Sequence, residues 1–507
     1  MVRIPSQAPL TSLRDFLLQS GYYFGQLRHE LGLSTALHAD FSNLAALLER
    51  TSGDARLPLL ARLFFVGWPV AAELCRKYIP ESLLQLCVEA EILTRADGEF
   101  APAVVLFPFE DSLLMAADAP RVRKGSTNIV IGPSPSTSIL ARAALRSKTA
   151  SVLDIGTGTG VLGILAARFC ECVVGTDVNE RAVAFAKFNS ALNGVSHTEF
   201  LIGDALEPVA GRHFSRILAN PPFFLTPARR FVHSDSPLQL DGFTRKLAIE
   251  VPEHLEEGGV FQMICEWVEV EDEPWQQRVQ SWTAASGCDV LLLLGPSMTT
   301  ADYAERRSQE AAALYAMQPG DDLSSRLSYL REHRVQRVIS GVFTMRRRAG
   351  RNWFFSVPVD LNHTNGHAIE EQIEAITFLM EQSEDGWLRL RLRFAPDAIV
   401  DQAYVRREDG WQNIGVELRK PNGIGYPLKV DLPVLQTIEL FDGHRTIAEV
   451  MEKTATIRGI SLAEAKAQCL VLVKRLLQSS FVRPVEADES GSRDRLNNDA
   501  LSQTRDH

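Results

Sequence analysis

The middle of the chain alternates short apolar segments with segments of helical spacing, and this pattern most limits the possible folds. The strand-like segments are ASVLDIG, CVVGTDV, TEFLIGDA, SRILAN and GVFQMICEW, and CDVLLLLG and RVISGVFTMRRR are expected to complete the sheet. The helical segments between the strands are GVLGILAARFC, ERAVAFAKFNSALNG and TRKLAIEVPEHLEEG. The alternation predicts an α/β fold with a doubly wound, Rossmann-like parallel sheet. Ligands of such sheets bind beyond the carboxyl ends of the strands.

The segment VLDIGTGTGVLG predicts a strand, a glycine-rich turn and the start of a helix. Glycine tolerates positive φ and lets a ligand approach the bare backbone. The candidate cofactor-binding residues here are Asp154, Gly156, Thr157, Gly158, Thr159 and Gly160. From Gly158 the segment also satisfies GxGxxG, so a nicotinamide oxidoreductase is a competing interpretation. Asp154 disfavours it, because a carboxylate repels a pyrophosphate and attracts a cationic ammonium or sulfonium group.

Two more carboxylates follow the next two strands. Asp177 ends CVVGTDV, where an acidic residue can accept hydrogen bonds from both hydroxyls of a ribose. Asp204 ends TEFLIGDA and can bond the exocyclic amine of an adenine. Each aspartate alone would more often cap a helix or face solvent. Three of them at successive strand ends predict a cofactor made of a nucleoside and a sulfonium.

The fourth strand runs into LANPPFFLTP, which places an asparagine and two prolines where a strand should end. The side-chain carbonyl of Asn220 and the backbone carbonyl of Pro221 can both accept hydrogen bonds from one NH2 group. Pro221 and Pro222 stiffen this backbone, and Phe223 offers a flat face for a base or an amide. These four residues are the candidate catalytic group, and Asn220 is also assigned to the cofactor-binding set. A proline-stiffened loop with an apolar plug is the structural alternative.

Together these residues resemble the class I S-adenosylmethionine-dependent methyltransferases, specifically the small-domain group with the motif (Asn/Asp)-Pro-Pro-(Tyr/Phe). The resemblance covers roughly residues 125 to 350. It implies that DIGTGTG holds the methionine end of S-adenosylmethionine, that Asp177 holds the ribose and that Asp204 holds the adenine. The motif Asn-Pro-Pro-Phe would hold the target nitrogen. NIVIGPSPSTSILA resembles the segment leading into the cofactor pocket, where Ser134 and Ser136 either line the pocket or cap a helix.

The resemblance implies one of two target nitrogens, N6 of adenine in RNA or DNA or the side-chain amide of glutamine in a protein. Phe223 and Phe224 are more similar to the RNA adenine enzymes, so adenine N6 in RNA ranks first and protein glutamine N5 second. Arg229 and Arg230 are expected to meet phosphates, and further positive charge lies in TMRRRAGRNW and RVRK. Solvated surface is the alternative for these arginines. A cofactor-binding scaffold without turnover is a third interpretation, which the intact motif disfavours.

The flanking regions differ from the middle in pattern. Residues 1–118 predict a helical, winged-helix-like domain, with a turn at Asp97–Gly98 between two extended segments. Residues 119–358 form the predicted methyltransferase domain. Residues 359–486 predict an α+β domain that contains the alternating strand WLRLRLRF and ends in a segment similar to small winged-helix modules of the PqqD-like type. Residues 487–507 lack apolar residues and are predicted to be disordered.

Composition narrows the class of partner. The formal net charge of -10 argues against a protein that coats itself with nucleic acid, although a local basic patch is compatible with it. The seven cysteines include no CxxC pair, so we expect reduced thiols and no disulfide framework, zinc site or other metal. The first ten residues, MVRIPSQAPL, lack an apolar signal region, and no apolar run is long enough to cross a bilayer. We therefore expect a soluble, cytoplasmic protein that does not associate with membranes.

Overall fold

The chain divides into two compact units, Met1–Phe355 and Ser356–His507, which are described separately. The computed structural model describes residues 2–5, 9–33, 44–110, 112–119, 128–228, 230, 233–315, 319–421, 423–424 and 427–485. The predicted disordered tail and the segment RVRK lie outside these residues. The predicted domain limits at residues 118, 358 and 486 stay predictions.

The first part of the first unit is helical and ends in small antiparallel sheets. Its helices are α1 (Thr11–Gln19), α2 (Phe24–Leu31), α3 (Leu44–Arg50), α4 (Arg56–Leu60), α5 (Ala72–Tyr78) and α6 (Glu81–Glu89), and a π-helical turn, Ala61–Phe65, continues α4. Its strands are β1 (Val70–Ala71), β2 (Leu93–Ala96), β3 (Glu99–Pro102), β4 (Val104–Phe109) and β5 (Leu113–Asp118). The first three strands pair in the order β1-β3-β2, and β4 pairs with β5. Asp97 and Gly98 both have positive φ, as a two-residue hairpin turn requires, which confirms the predicted turn.

An eight-stranded mixed sheet follows. Its strands are β6 (Thr149–Ile155), β7 (Cys170–Asp177), β8 (Thr198–Ile202), β9 (Phe214–Ala219), β10 (Leu255–Val270), β11 (Cys288–Thr299), β12 (Val335–Arg347) and β13 (Phe354–Pro358), within which the first unit ends. The order is β13-β11-β12-β10-β9-β6-β7-β8. Strands β6 to β10 are mutually parallel, whereas β12 is antiparallel to both of its neighbours. The predicted strands are confirmed, but the sheet is not wholly parallel.

Helices precede and connect these strands, and three of them were predicted from the alternation. They are α7 (Pro135–Ala143), α8 (Val161–Ala166), α9 (Glu180–Leu192), α10 (Gly242–Glu250) and α11 (Trp275–Thr283), with short 3-10 turns at Glu207–Val209 and Val251–His254. Two further helices, α12 (Thr300–Tyr315) and α13 (Pro319–Glu332), lie between β11 and β12 and were not predicted. The predicted Rossmann-like α/β class is confirmed, with a helical hairpin inserted near its end.

The register of the parallel strands brings their carboxyl ends to one edge. Ile155, the last residue of β6, is level with Thr176 of β7 and with Ala219 of β9. The residues that follow these strands therefore share that edge. A buried apolar core below it includes Leu153, Ile217, Phe261, Met263 and Trp267. Burying each such side chain contributes about 1.5–3 kcal/mol, which fixes the strand ends in place.

The last strands of the sheet are longer than the parallel strands beside them. Ala219 ends β9 level with Met263, while β10 continues through Ile264–Val270 and pairs there with β12 alone. Seven residues of strand extend roughly 23 Å. The helices α12 and α13 pack on this projecting part through their own apolar cluster. The inserted hairpin therefore lies on the side of the sheet where the carboxyl ends meet.

The N-terminal strands are attached to the sheet domain by two asparagines of helix α9. Asn189 accepts a hydrogen bond from Ala116 N (2.7 Å) and donates to Ala116 O (3.0 Å) and Thr159 O (2.9 Å). Asn193 bonds both backbone groups of Leu114 in the same manner. Both side chains are buried, and their amides take the place of a neighbouring strand at the free edge of β5.

The second unit is a separate α+β structure with its own apolar core. Its helices are α14 (Gly366–Glu381), α15 (Glu384–Arg389), α16 (Leu432–Ile438), α17 (Ile447–Arg458) and α18 (Leu462–Gln478). Its strands are β14 (Arg391–Phe394), β15 (Ile399–Arg407), β16 (Gly410–Arg419), β17 (Leu428–Val430), β18 (Asp442–Thr446) and β19 (Val482–Pro484), which pair in the orders β18-β14-β19 and β15-β16-β17. No helix among the described residues of either unit is long and apolar enough to cross a membrane.

The predicted strand WLRLRLRF is only half correct. Trp387–Arg389 belongs to α15, and the strand begins at Arg391. The Ser383 side chain accepts a hydrogen bond from Gly386 N and so starts a helix, and this local cap outweighs the period-two alternation.

Replacing Asn189 by alanine tests the attachment of the N-terminal strands. We expect Asn189→Ala to lower the free energy of unfolding by on the order of 3 kcal/mol, because three buried backbone groups lose their partners. Asn179, which caps α9 through one hydrogen bond to Arg181 N, supplies the control. Asn179→Ala should cost about 1 kcal/mol. Urea unfolding followed by circular dichroism measures both, and equal losses would contradict the assigned role of Asn189.

Candidate functional site

The glycine-rich turn between β6 and α8 is held by the carboxylate of Asp154. Its Oδ2 accepts hydrogen bonds from Thr157 Oγ1 (2.7 Å) and from Gly163 N (3.0 Å). One oxygen therefore joins the end of the strand, the turn and the first turn of the helix. Gly156, Gly158 and Gly160 all have positive φ, as the sequence analysis expected of this turn.

The three glycines serve different purposes. A Cβ atom at Gly156 would meet no atom within 4 Å, and one at Gly158 would meet only Gly156 O at 3.9 Å. A Cβ atom at Gly160 would lie 3.1 Å from the Cα and Cβ atoms of Ala186 in α9. The first two glycines thus border open space in which a ligand can approach the backbone, whereas the third permits close packing of a helix.

Asp154 itself is a suitable partner for a cation. The side chain is fully buried, and its Oδ1 has no hydrogen-bond partner among the described residues. Burial raises the pKa of this carboxyl to about 7, although the hydrogen bonds from Thr157 and Gly163 lower it. A buried carboxylate oxygen that lacks a hydrogen-bond partner suits a cationic group such as the ammonium of an amino acid.

Asp177 lies beside the turn at the end of β7. Its Oδ2 accepts a hydrogen bond from Gly158 N (2.9 Å), and its Oδ1 accepts one from Asn179 N (2.8 Å). Burial raises the pKa of Asp177, and the two backbone hydrogen bonds lower it. A carboxylate has about four lone-pair sites, so this one retains acceptors for ribose hydroxyls.

Asp204 follows β8, the outermost of the parallel strands, and so lies at one end of the row of strand-end residues Asn220, Asp154, Asp177 and Asp204. Its side chain is 55% exposed and pairs with Lys246 Nζ at 3.5 Å. Two apolar side chains at the same strand ends, Val178 and Ile202, are exposed and were missed by sequence reasoning. An apolar residue directly beside a strand-end carboxylate was the available signal, because a flat base needs apolar cover. From β9 to β8 the row spans three strand spacings, roughly 14 Å, which accommodates an extended nucleoside joined to an amino acid.

Asn220 follows β9 and is oriented by a residue that sequence reasoning also missed. Its Nδ2 donates a hydrogen bond to Thr137 Oγ1 (3.0 Å). Thr137 is buried at the start of α7, where it forms a capping box with Ser134. Ser136 Oγ lies 2.7 Å from Ser134 Oγ, so the capping alternative is observed for Ser134, with Ser136 bonded to it. Among the described residues neither Asn220 Oδ1 nor the Pro221 carbonyl receives a hydrogen bond, and both remain as acceptors.

Phe223 differs from the expectation of an open ring face. The side chain is only 8% exposed, and its ring packs edge-to-face on Phe224 with 5.2 Å between centroids. Pro221 is buried as well. The motif therefore presents two carbonyl acceptors at a largely closed apolar wall, with little ring surface for a stacked base.

Three of the arginines considered for phosphate contacts are paired with acidic side chains. Arg230 pairs with Asp322 (3.2 Å), while Arg229 lies outside the described residues. In TMRRRAGRNW, Arg346 and Arg348 both pair with the buried Asp289. Arg346 is level with Val260 near the start of β10, so this cluster lies at the edge opposite the site.

Comparison with known proteins identifies the family. A family model described as "Methyltransferase small domain" matches residues 134–267. A protein of Methanocaldococcus jannaschii, named as a candidate protein N5-glutamine methyltransferase, is 33% identical over 142 residues, which are 27% of this chain and 71% of that protein. The chain belongs to the methyltransferase small domain family. It is therefore an S-adenosylmethionine-dependent methyltransferase, as the sequence predicted.

Two further relatives of this methyltransferase differ in the substrate that their names state. A release factor glutamine methyltransferase of Thermodesulfovibrio yellowstonii is 35% identical over 105 residues, 19% of this chain and 38% of that protein. A ribosomal RNA small subunit methyltransferase C of Alcanivorax borkumensis is 32% identical over 118 residues, 23% of this chain and 33% of that protein. The chain spans little more than a third of the length of these two relatives. The assignments of single residues to cofactor and substrate stay predictions.

Paired glycine substitutions separate the ligand role from the packing role. We expect Gly156→Ala to weaken binding of S-adenosylhomocysteine, because the new methyl group would enter the open space at the turn. Gly160→Ala should instead lower the thermal stability of the free protein further, because its methyl group would press on Ala186. An alanine at either position costs about 1–2 kcal/mol because φ is positive there. This cost is similar in the two variants, so it cancels when they are compared. Calorimetric titration and thermal unfolding measure the two effects, and identical behaviour of the variants would contradict the distinction.

The raised pKa of Asp154 predicts a pH-dependent difference in stability. The carboxyl ionises near pH 4 in the unfolded chain and near pH 7 in the folded one, so folding is disfavoured increasingly between these values. Stability should fall by about 1.4 kcal/mol per pH unit over this interval and level off above it. Asp154→Asn lacks this ionisation, so its unfolding free energy relative to wild type should rise from pH 4 to pH 7. Urea unfolding of both proteins across the interval tests this. A difference between variant and wild type that does not change with pH would contradict the raised pKa of Asp154.

Proposed function

We propose that this methyltransferase transfers a methyl group to the side-chain amide nitrogen of a glutamine in a protein. The observation that carries the proposal is the pair of open carbonyl acceptors, Asn220 Oδ1 and Pro221 O, beside the nearly buried Phe223. These acceptors suit one planar NH2 group, and a carboxamide is the smallest group that supplies it. Adenine N6 in RNA, ranked first from the sequence, becomes the second candidate.

The residues at the edge of the sheet would hold the cofactor in the order in which the strands present them. When bound, S-adenosylmethionine supplies an electrophilic methyl carbon on a positively charged sulfur. Asp154 and the open space at Gly156 suit its amino acid end, and Asp177 suits the ribose. Asp204, with the exposed Ile202 beside it, suits the adenine.

The chain's contribution to the reaction is to orient the target amide. With both N–H groups bonded to Asn220 Oδ1 and Pro221 O, the nitrogen is held with its lone-pair face towards the cofactor side. Orientation of this kind can supply about 7–11 kcal/mol towards the barrier. Thr137 contributes indirectly, because it holds Asn220 Nδ2 and so directs Oδ1 to the substrate. As the nitrogen gains the methyl group it loses one proton to solvent.

Several observations favour an amide over a nucleic-acid base. An extruded base needs an open aromatic face, and Phe223 provides little of one. Arg230 is paired with Asp322, and the cluster around Arg346 lies at the opposite edge of the sheet. The relatives from Methanocaldococcus jannaschii and Thermodesulfovibrio yellowstonii are named for glutamine. The relative from Alcanivorax borkumensis is named for ribosomal RNA and keeps adenine as the second candidate.

Labelling with tritiated S-adenosylmethionine tests the substrate class. We expect label transferred to a cell lysate to be removed by protease and to survive RNase, and complete enzymatic digestion of the labelled protein to yield N5-methylglutamine. Asn220→Ala is the control, because it removes one acceptor for the target nitrogen and leaves Asp154, Asp177 and Asp204 in place. It should lose labelling while its affinity for S-adenosylhomocysteine stays within a few-fold. Label that RNase removes would replace glutamine by adenine, and full activity of Asn220→Ala would remove the motif from the mechanism.

A further inference from the structure

The loop that follows the Asn-Pro-Pro-Phe motif is held by side chains of the inserted helical hairpin, α12 and α13. Leu225 lies two residues beyond Phe223, and both of its backbone groups are bonded to this hairpin. Its N–H donates to the hydroxyl of Tyr303 (2.9 Å), and its carbonyl accepts from Arg326 Nη1 (2.9 Å). The side chain of Leu225 is buried in the apolar cluster under the hairpin. One backbone position is therefore fixed by two polar contacts and by packing.

The hydroxyl of Tyr303 has a defined direction. It donates its proton to Glu266 Oε2 (2.8 Å), and the other carboxylate oxygen of Glu266 pairs with Arg307. Glu266 and Tyr303 are fully buried, so solvent does not compete for that proton. Because a hydroxyl has one proton, its lone pairs are left for Leu225 N–H. Glu266 on β10 thus orients Tyr303, which in turn holds the loop.

The same network reaches the motif on a second side. The guanidinium of Arg307 lies over the ring of Phe224, 3.6 Å from its centroid. Phe224 N donates to Ser234 O (2.9 Å), and Ser236 N donates to Phe224 O (3.0 Å), so Phe224 is joined to the later part of the loop by an isolated parallel bridge. The aromatic pair beside the two acceptors is therefore packed from behind by the buried ion pair.

The far end of the loop has a matching anchor. Leu240 N donates to the hydroxyl of Tyr329 on α13 (2.9 Å). Between the two anchors, the buried Asp322 accepts hydrogen bonds from Ser308 Oγ (2.9 Å) and Arg326 Nε (2.7 Å) and pairs with Arg230 of the loop. The hairpin thus holds the loop at its start, near its middle and at its end.

We propose that the inserted hairpin is the positioning element of the target-nitrogen site, with Tyr303 as its principal positioning residue and Glu266 as the residue that orients Tyr303. This inference rests on the proposed role of Asn220 and Pro221. The chain between Asn220 and Leu225 is short and contains two prolines, so a shift at Leu225 displaces both acceptors. Tyr303 touches neither substrate nor cofactor and acts only through the backbone of the loop.

A purely stabilising role does not account for this arrangement. A buried ion pair is often no more stabilising than well-packed apolar residues of similar volume, because both charges lose their hydration. Apolar side chains at Tyr303 and Glu266 would fill the cluster under the hairpin, but they would leave Leu225 N–H without an acceptor. The polar network therefore serves to fix the position of one peptide group.

Tyr303→Phe tests the inference, with Tyr22→Phe as a matched control. Tyr22 is also fully buried, and its hydroxyl bonds a backbone group, Leu106 O (2.7 Å), but in the N-terminal part of the unit. Both variants lose one buried hydroxyl and keep the ring. Three quantities are measured on the full chain: affinity for S-adenosylhomocysteine, turnover with the labelled protein substrate, and hydrogen–deuterium exchange of peptides covering residues 221–241.

We expect Tyr303→Phe to lower kcat by about 10-fold and to raise exchange at the Leu225 amide by at least that factor, because the hydrogen bond that holds the Leu225 N–H is lost. Its affinity for S-adenosylhomocysteine should stay within twofold of wild type. Tyr22→Phe should leave kcat and exchange of the loop unchanged. Tyr329→Phe removes the hydroxyl that accepts from Leu240 N, so it should raise exchange near Leu240. If Tyr303→Phe folds poorly, this variant still tests whether the hairpin holds the loop.

Equal effects of Tyr303→Phe and Tyr22→Phe on turnover would reduce Tyr303 to a stability residue and overturn the inference. Unchanged exchange of the loop in both Tyr303→Phe and Tyr329→Phe would overturn it as well. The exchange measurement needs no substrate. If the wild-type protein labels no protein, the proposed function fails while the loop measurement still decides whether the hairpin positions the motif.

Discussion

The contact between the Asp154 carboxylate and the backbone of the glycine-rich turn is the constraint on which the site depends. Asp154 is the last residue but one of β6, the strand between β7 and β9, and is level with Gly175 and Leu218, two residues before Asp177 and Asn220. Burial disfavours the charged form of Asp154 and raises its pKa, and the hydrogen bonds from Thr157 and Gly163 only partly offset this rise. Its Oδ1 has no hydrogen-bond partner in the part of the chain that the structure describes. The strand end is thus built around a charge that a cationic ligand would complete.

A second buried carboxylate, Glu266, has the opposite balance. Both of its oxygens are bonded, one to Tyr303 and one to Arg307. Asp154 has one buried oxygen without a hydrogen-bond partner among the described residues, whereas both oxygens of Glu266 are bonded to the protein. Buried charges with unmet hydrogen-bonding capacity mark places for ligands, and fully bonded ones mark places where the scaffold fixes geometry. The site therefore combines one carboxylate for binding with one for positioning.

Local patterns in the sequence were sufficient to predict the strand ends. Short apolar segments followed by Asp154, Asp177 and Asn220 predicted one edge, because parallel strands present their carboxyl ends together. Contacts between segments that are distant in the sequence could not be predicted from these local patterns. Thr137 bonds Asn220 across 83 positions, and nothing in either segment indicates the other. The run around Arg346 predicted exposed charge, but Asp289, 57 positions earlier, neutralises it.

The state of Phe223 shows why the substrate was harder to predict than the fold. The motif fixes that an aromatic ring stands beside Asn220, but its exposure depends on Phe224 and on a hairpin inserted about 80 positions later. Helices α12 and α13 lie between two strands that would pair as a simple hairpin without them. An insertion of this kind leaves the strand pattern intact and changes the surface that a substrate meets.

The charges around the loop support a polypeptide target. Three described cations near the loop are paired with acids of the protein: Arg230 of the loop with Asp322, Arg307 of the hairpin with Glu266, and Lys246 of α10 with Asp204. A nucleic acid gains affinity when free cations displace its counterions, and a cation that already neutralises a carboxylate contributes little to that exchange. An amide carries no net charge and needs no such field. The paired cations therefore agree with a site that selects by hydrogen bonding and shape.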